Sequence, residues 1–255
     1  MQVVILAGGM GTRLSEETNL IPKALVRIGG IPIIVHVMSY FASYGHKDFL
    51  IATGYKGEEL KKYFIDFRLS NMDFEIDLKS GVIQTFGREL DWKIKLVDTG
   101  LNTMTGGRIK RIEKFLNPEF FLTYCDGLSN IDLNKVKEIG ANFEGIATVT
   151  SVNRPSRFGS IRTSPDSELV EDFVEKPSTD WINGGYFYMK KAICDFIEDD
   201  NTVLELEPMK ALVRESLLIT YKHDGFWQPM DNLKEKNYLE KLWIENEAPW
   251  RKDTF

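Results

Sequence analysis

Short apolar runs alternate along the chain with segments in which apolar residues recur at helical spacing. This alternation is typical of parallel β-α-β units, because their strands are buried on both faces while their helices are amphipathic. The strands predicted in this way are Gln2–Ala7, Asp48–Ala52, Trp92–Val97, Phe120–Tyr124 and Gly145–Ser151. The helices predicted beside them are Pro32–Tyr44, Gly57–Phe67, Gly107–Phe115 and Leu133–Ala141.

Two regions depart from this alternation. Between residues 68 and 91, Phe74, Ile76 and Leu78 alternate with polar residues, which is typical of a β-hairpin outside the main sheet. Beyond residue 158 the predicted elements are Gly159–Thr163, Leu169–Glu175, Trp181–Tyr188, a loop and helix over Thr202–Arg214, the strand Leu217–His223 and a closing helix Asn237–Glu247. We interpret residues 1–255 as one α/β domain with a Rossmann-like, mostly parallel mixed sheet flanked by helices.

Composition narrows the class of protein. Of the 255 residues, 43% are hydrophobic and 27% are charged, which suits an ordered globular fold. The formal net charge of −6 argues against nucleic acid as the main partner, since phosphate backbones require a basic face. The first apolar run is too short for a signal peptide or a membrane span, and two cysteines are too few for a disulfide framework. We therefore expect a cytoplasmic enzyme that does not bind a membrane.

A glycine-rich loop directly follows the first strand. Gly8, Gly9 and Gly11 occupy three of four positions, so backbone N–H groups there can approach an anion closely. Arg13 adds a guanidinium, and Lys23 is a second cation that can return to the same ligand. The loop has neither the Gly-Lys-Ser/Thr end of a Walker A motif nor the spacing of the dinucleotide fingerprint. Taken alone, it is equally compatible with a plain glycine turn.

Residues 8–14, Gly-Gly-Met-Gly-Thr-Arg-Leu, together with Pro22-Lys23, resemble the signature of the sugar-phosphate nucleotidyltransferases. The run Leu14-Ser15-Glu16-Glu17-Thr18 is similar to the cytidylyltransferase branch of that family. The resemblance covers the whole chain, through Gly54-Tyr55-Lys56-Gly57, Val97-Asp98-Thr99-Gly100, Met104-Thr105-Gly106-Gly107-Arg108, Arg157-Phe158-Gly159, Glu175-Lys176-Pro177, Asn183-Gly184-Gly185 and Phe226-Trp227-Gln228-Pro229-Met230-Asp231. It implies a nucleotidyltransferase fold, similar to that of the A-type glycosyltransferases.

The resemblance also implies a reaction. A phosphate oxygen of a small phosphorylated acceptor attacks the α-phosphorus of CTP, and pyrophosphate leaves. The default acceptor of the branch is glucose 1-phosphate, which gives CDP-glucose for cell-surface polysaccharide biosynthesis. Because two polyanions must meet, charge neutralisation and alignment carry the catalysis. The resemblance makes Arg13, Lys23 and Asp126 catalytic, and it assigns to the nucleotide Leu6, Ala7, Gly8, Gly9, Gly11, Thr12, Thr53, Gly54, Thr105 and Gly106.

Two carboxylates are expected to hold Mg²⁺. Asp126 follows a predicted buried strand at the carboxyl end of the sheet, where open α/β sheets place ligands. Asp231 follows the aromatic pair Phe226-Trp227. In the family that the chain resembles, these two side chains bind the ion, which prefers oxygen ligands. Each aspartate has an alternative role as a turn former or a helix N-cap.

The acceptor half-site is expected in residues 153–255 together with Arg108. The resemblance assigns to it Arg108, Arg157, Glu175, Lys176, Asn183 and Gly184, with Glu207 as a further candidate. Lys176 is the expected contact to the acceptor phosphate, and a solvated Glu-Lys pair at a strand end is the alternative. The chain departs from the family pattern at Ile21, Cys125 and Leu204, where relatives have lysine, glycine and tryptophan. The loss of that tryptophan is expected to remove an aromatic wall near the acceptor.

Two other functions stay open from the sequence. A divergent cytidylyltransferase would use a non-glucose acceptor such as L-glutamine phosphate, giving CDP-glutamine in a capsule phosphoramidate pathway. A nucleotide-sensing module without turnover would keep the fold, but the chain retains Arg13, Lys23, Asp126 and Asp231, which argues against it. The family commonly forms homo-oligomers, and the hairpin over residues 68–91 is the expected interface.

Overall fold

The computed structural model describes residues 1–11, 18, 21–70, 72–87, 90–153, 160–163, 170–174 and 181–252. Within these ranges, a seven-stranded sheet has the strand order Leu218–His223 (β14), Ala147–Asn153 (β10), Trp181–Lys190 (β13), Glu119–Tyr124 (β8), Gln2–Ala7 (β1), Asp48–Thr53 (β4) and Lys93–Asp98 (β7). Strands β8, β1, β4 and β7 are parallel, whereas β13 is antiparallel to both of its neighbours. The predicted mostly parallel α/β sheet is confirmed.

Helices pack on both faces of this sheet. They are Ile33–Ser43 (α1), Gly57–Ser70 (α2), Thr105–Arg111 (α3), Leu133–Asn142 (α4), Glu207–Arg214 (α5) and Leu233–Ile244 (α6), with 3₁₀ turns at Lys23–Leu25, Glu113–Phe115 and Lys191–Phe196. No helix in the ranges given above has the length and apolar composition needed to cross a membrane.

Strand β1 separates two hydrophobic clusters. Val3 and Ile5 pack in the cluster that contains α1, α4 and α6, while Val4 and Leu6 pack in the cluster that contains α3 and α5. This alternation follows from the period of two along a strand. Because both faces are covered, β1 is apolar throughout, which is why its sequence predicts a buried strand.

Short antiparallel pairs lie outside the main sheet. After α2, Asp73–Ile76 (β5) and Ile83–Phe86 (β6) form the hairpin that the alternating pattern predicts, and it is largely exposed. The backbones of Ser160–Thr163 (β11) and Val170–Val174 (β12) also pair. Two-residue strands at Arg27–Ile28 (β2) and Ile31–Pro32 (β3) precede α1.

Most predicted elements are present with bounds that differ by a few residues, and the helix predicted at Gly107–Phe115 shows why. The observed α3 begins earlier, at Thr105, because the Met104 N–H donates to the Asp200 carbonyl at 2.8 Å and draws the helix start against that backbone. A Cβ atom on Gly107 would lie 2.6 Å from Asp200, so the glycine permits the close approach. The packing therefore offsets the low helix propensity of glycine.

Candidate active site

Two adjoining cavities lie at the carboxyl ends of β1 and β8, the edge at which open α/β sheets bind ligands. The first, here the glycine-loop cavity, has a volume of about 300 Å³ and is lined by residues 6–9, Gly11, Lys23 and the start of α3. The second, here the β13 cavity, has a volume of about 250 Å³ and is lined by the end of β8, by residues 183–186 of β13 and by Trp227. Tyr124 and Asp126 line both cavities, so the two cavities adjoin at these side chains.

A buried arginine holds the glycine loop. Arg108, on α3, is 5% exposed, and burial lowers its pKa. Its guanidinium donates to the carbonyl oxygens of Gly8, Thr53, Gly100 and Leu101 and to the Thr99 hydroxyl. These acceptors lie just after or at the ends of β1, β4 and β7, so one side chain ties three strand ends together.

Arg108 was expected in the acceptor half-site. In the structure its side chain lines the glycine-loop cavity and donates to the Gly8 carbonyl at 3.0 Å. A Cβ atom on Gly8 would lie 2.1 Å from the guanidinium, and one on Gly54 would lie 2.5 Å from it. These two glycines are therefore required by the close approach of Arg108.

Gly11 is required for a different reason. Its φ of +63° lies in the left-handed region, and a Cβ atom there would lie 2.9 Å from the Thr18 side chain. The Thr18 hydroxyl donates to the Gly11 carbonyl at 3.0 Å. Gly9 has open space around its Cα, which leaves the loop backbone accessible from the cavity.

Lys23 lies between two carboxylates at the junction of the cavities. Its Nζ donates to Asp126 Oδ2 and, at 2.7 Å, to Asp231 Oδ1. Burial by itself lowers the pKa of Lys23, but the Asp126 charge and the two hydrogen bonds outweigh it, so the pKa lies above its ordinary value. The ammonium therefore stays charged at neutral pH. The structure thus places Lys23, which was expected at the phosphates, against the two aspartates that were expected to hold Mg²⁺.

A short ladder that the sequence analysis did not predict brings the two aspartates together. Gly127–Ser129 (β9) pairs antiparallel with Trp227–Pro229 (β15). At the end of this ladder the Met230 N–H donates to the Asp126 carbonyl at 2.9 Å. Each aspartate adjoins one strand of the ladder, so the pairing fixes the distance between them.

The cap of α6 settles one alternative for Asp231. Asn232, and not Asp231, is the N-cap, since its side-chain oxygen accepts from the Glu235 N–H at 3.0 Å. The Glu235 carboxylate in turn accepts from the Asp231 N–H at 2.8 Å. This reciprocal cap starts the helix at Leu233, earlier than the predicted Asn237, and leaves the Asp231 carboxylate directed at Lys23.

A network of hydroxyl and amide groups connects the two cavities through Glu205. The Thr105 hydroxyl donates to Glu205 Oε2 at 2.6 Å, and the Tyr124 hydroxyl donates to Glu205 Oε1. Asn183 also hydrogen-bonds the Tyr124 hydroxyl, and its Oδ1 accepts from the Gly185 N–H at 2.8 Å. Burial, together with the neighbouring Glu205 carboxylate, raises the pKa of Tyr124, so its hydroxyl stays protonated. Neither Tyr124 nor Glu205 was among the residues expected at the site: Glu205 lies in the family pattern that includes Leu204, but Glu207 was the candidate there.

The other candidate residues divide between the cavities. Leu6, Ala7 and Thr105 line the glycine-loop cavity, and Gly106 follows Thr105 in α3. Asn183 and Gly184 line the β13 cavity, where the Gly184 carbonyl accepts from Trp227 Nε1 at 2.7 Å. Thr53 is fully buried and its hydroxyl donates to the Val97 carbonyl at 3.1 Å. Five candidates lie outside the described residues: Thr12, Arg13, Arg157, Glu175 and Lys176.

Two residues expected near the acceptor, Glu207 and the residue at position 204, lie outside the cavities. Glu207 lies outside both cavities, because it is exposed on the first turn of α5 and pairs with Lys210 at 3.2 Å. Leu204 is fully buried in the cluster with α3 and α5, so the side chain at this position does not form a wall of the β13 cavity. The departure from tryptophan is therefore a change in the core.

Comparisons with known proteins show the family to which the chain belongs. The family model "MobA-like NTP transferase domain" matches residues 3–77, and the model "Nucleotidyl transferase" matches residues 122–228. The chain is 40% identical to glucose-1-phosphate cytidylyltransferase of Salmonella typhi, over 98% of this chain and 99% of that protein. It is 31% identical to mannose-1-phosphate guanyltransferase of Schizosaccharomyces pombe, over 94% of this chain and 62% of that protein. Among solved structures, HddC from Yersinia pseudotuberculosis has a TM-score of 0.67 at 23% identity, over 95% of this chain and 99% of that one.

The fold and the matched models define the protein as an enzyme of the nucleotidyltransferase class. Its identity to the cytidylyltransferase extends over nearly the full length of both chains. The chain belongs to the glucose-1-phosphate cytidylyltransferase family.

We predict that Arg108→Lys lowers the free energy of unfolding by about 2–3 kcal/mol, since an ammonium cannot serve carbonyls from three strand ends and buried acceptors left unpaired are costly. Urea denaturation followed by circular dichroism measures the loss. The matched control is Arg111→Lys on the same helix, where the arginine is 43% exposed and pairs with Asp200. That change is expected to cost less than about 1 kcal/mol. Equal losses in the two variants would contradict the role given to Arg108.

Proposed function

We propose that the protein transfers CMP from CTP to glucose 1-phosphate and forms CDP-glucose. A phosphate oxygen of glucose 1-phosphate attacks the α-phosphorus of CTP. The bond from that phosphorus to the bridging oxygen breaks, and pyrophosphate leaves with the electron pair. The observation that supports this most is the position of Lys23, Asp126 and Asp231, whose charges meet where the two cavities join.

In this proposal each cavity takes one substrate. The N–H groups of the glycine loop bind the triphosphate, with Arg13 on its β and γ oxygens and Lys23 on the α-phosphate. The β13 cavity and the rest of residues 153–255 bind the acceptor, with Arg157, Glu175 and Lys176 as its further contacts. Because Asp126 lines both cavities, the reacting phosphates meet beside it in this proposal.

Asp126 and Asp231 fit a divalent cation. Both carboxylates reach the same atom, Lys23 Nζ, so their oxygens converge on a point where positive charge is already stabilised. Mg²⁺ is commonly held by one or two carboxylates together with substrate phosphates. When bound, the ion supplies charge stabilisation to the phosphates. Asp126 and Asp231 would hold the ion, and the flexible stem of Lys23 would let its ammonium reach the α-phosphate.

The departures from the family pattern leave the substrates unchanged in this proposal. Leu204 is a core residue, so its replacement of tryptophan gives no support to a non-glucose acceptor. Cys125 lines the glycine-loop cavity, but burial raises the pKa of its thiol to about 12, so it adds no charge beside Asp126. The L-glutamine phosphate alternative is therefore an outcome of the test below.

Pyrophosphate release tests the proposed function. With MgCTP, we expect release with glucose 1-phosphate and little with L-glutamine phosphate or with no acceptor. Replacing CTP by UTP, dTTP or GTP should lower the rate. Release only with L-glutamine phosphate would favour the divergent enzyme, and no release with any acceptor would favour a nucleotide-sensing module.

We predict that Lys23→Ala separates the two roles of its ammonium. Without the cation, two carboxylates lie close together uncompensated, which should destabilise the fold in EDTA by about 2 kcal/mol. Mg²⁺ should restore the melting temperature, because it replaces the missing charge, but it should not restore turnover. The matched control is Lys47→Ala, which removes an exposed ion pair with Asp91. Its melting temperature should be the same in EDTA and in Mg²⁺. A Lys23→Ala melting temperature that Mg²⁺ leaves unchanged would remove the ion from these carboxylates.

We further propose that the protein is a homo-oligomer whose hairpin packs against a second copy. The register places Phe74, Ile76 and Ile83 on one face of β5 and β6, and they are 49%, 44% and 42% exposed. The other face carries the polar residues Asp73, Glu75 and Gln84 and one phenylalanine, Phe86. A two-stranded hairpin is marginal without a covered apolar face, and the same face on a second copy is a self-complementary cover under twofold symmetry.

Ile76→Glu is expected to shift the protein to a smaller species, because it buries a charge in the proposed interface. Size-exclusion chromatography with light scattering measures the mass, and circular dichroism checks that the fold persists. Glu75→Lys, on the polar face of the same strand, is the control and should leave the mass unchanged. A monomeric wild-type protein, or equal effects of the two changes, would refute this interface.

A further inference from the structure

We infer that Glu205 is a positioning residue that fixes the Tyr124 hydroxyl as a hydrogen-bond acceptor, so that Tyr124 and Asn183 together select a hydroxyl group of the acceptor substrate. The inference rests on the proposed transfer to a sugar phosphate and names the group that the β13 cavity recognises. Its basis is the direction of the hydrogen bonds around Glu205.

An ionised carboxylate can only accept hydrogen bonds. Glu205 Oε2 accepts from the Thr105 hydroxyl at 2.6 Å, and Oε1 accepts from the Tyr124 hydroxyl. Thr105 Oγ1 in turn accepts from the Leu204 N–H at 2.9 Å, which holds this hydroxyl in place from the side of α5. Both hydroxyl protons are thus committed to one carboxylate.

Because the Tyr124 hydroxyl already donates its proton to Glu205, it can only accept hydrogen bonds from a ligand. A phenolic oxygen without a free proton presents only lone pairs. One of them accepts from Asn183. The Asn183 Oδ1 is used by the Gly185 N–H, so the contact to Tyr124 comes from the NH₂ group, which carries two donors. The wall of the β13 cavity therefore places an acceptor oxygen beside an amide donor.

A hydroxyl group matches this wall, because it donates one hydrogen bond and accepts others. A phosphate dianion does not match it, since its oxygens only accept and would face the lone pairs of Tyr124. The phosphate end of the acceptor is therefore directed away from Tyr124 and toward the Lys23 ammonium, while a sugar hydroxyl contacts the wall. In this way Glu205 orients the acceptor without touching it.

The test measures kcat/KM of the full-length enzyme with MgCTP and glucose 1-phosphate, and with analogues in which each sugar hydroxyl in turn is replaced by fluorine. Fluorine cannot donate a hydrogen bond. The kcat/KM of the wild type should therefore fall at least about tenfold on the analogue that has fluorine in place of the hydroxyl that contacts Tyr124. Tyr124→Phe should show a similar loss with glucose 1-phosphate but no further loss on that analogue. This non-additivity identifies the contact.

Variants of Glu205 test the commitment of the proton. Glu205→Leu leaves the Tyr124 proton free to donate to fluorine, so the specific loss on that analogue should shrink several-fold. Glu205→Gln keeps one acceptor oxygen and should retain most of the loss. Glu207→Gln, an exposed neighbour outside both cavities, should behave as the wild type on every substrate. Melting temperatures establish that each variant is folded.

The outcomes separate the inference from the function on which it rests. A uniform drop of kcat with Glu205→Leu, with the pattern across analogues unchanged, would make Glu205 merely structural and overturn the inference. Turnover of glucose 1-phosphate by the wild type without any analogue-specific loss would overturn it as well, and would leave the proposed function intact. No turnover of glucose 1-phosphate would overturn both.

Discussion

The arrangement of the active site depends on one ammonium between two carboxylates. Lys23 comes from the segment after the glycine loop, Asp126 from the end of the central strand β8, and Asp231 from the C-terminal region, so the ion cluster joins parts of the chain separated by 103 and 208 residues. Two carboxylates that both contact one ammonium lie close together, and they would repel each other without that cation between them. The ladder of β9 and β15 brings them together, and Lys23 makes their proximity stable.

A second cation, the guanidinium of Arg108, holds the backbone of the glycine loop. Arg108 is buried and desolvated, which is unfavourable for a charge, and its hydrogen bonds to carbonyls at the strand ends offset this cost. The loop can lie so close to it only because Gly8 and Gly54 have no side chains. Arg108 thus holds the backbone that lines the glycine-loop cavity. Lys23 lies where this cavity joins the β13 cavity.

The residue pattern by itself predicted the sheet and the glycine-rich loop that follows its first strand. Strand β1 is buried on both faces and is therefore apolar at every position, which gives a signal that needs no tertiary information. The glycine-rich loop is also a local feature, and it singled out Gly8 and Gly11. The roles expected of Lys23, Asp126 and Asp231 came instead from the resemblance to a family, because an aspartate in a turn is locally also compatible with a turn former or a helix N-cap.

Only the tertiary structure decided which distant side chains complete the site. Arg108 belongs under the glycine loop because α3 packs there, and the choice of Glu205 over Glu207 depends on where the segment before α5 meets Tyr124. Strands β9 and β15 have three residues each, too few for a period of two to be recognised. Such contacts depend on how elements that are far apart in the sequence pack against one another. A local pattern of residue types does not predict this packing.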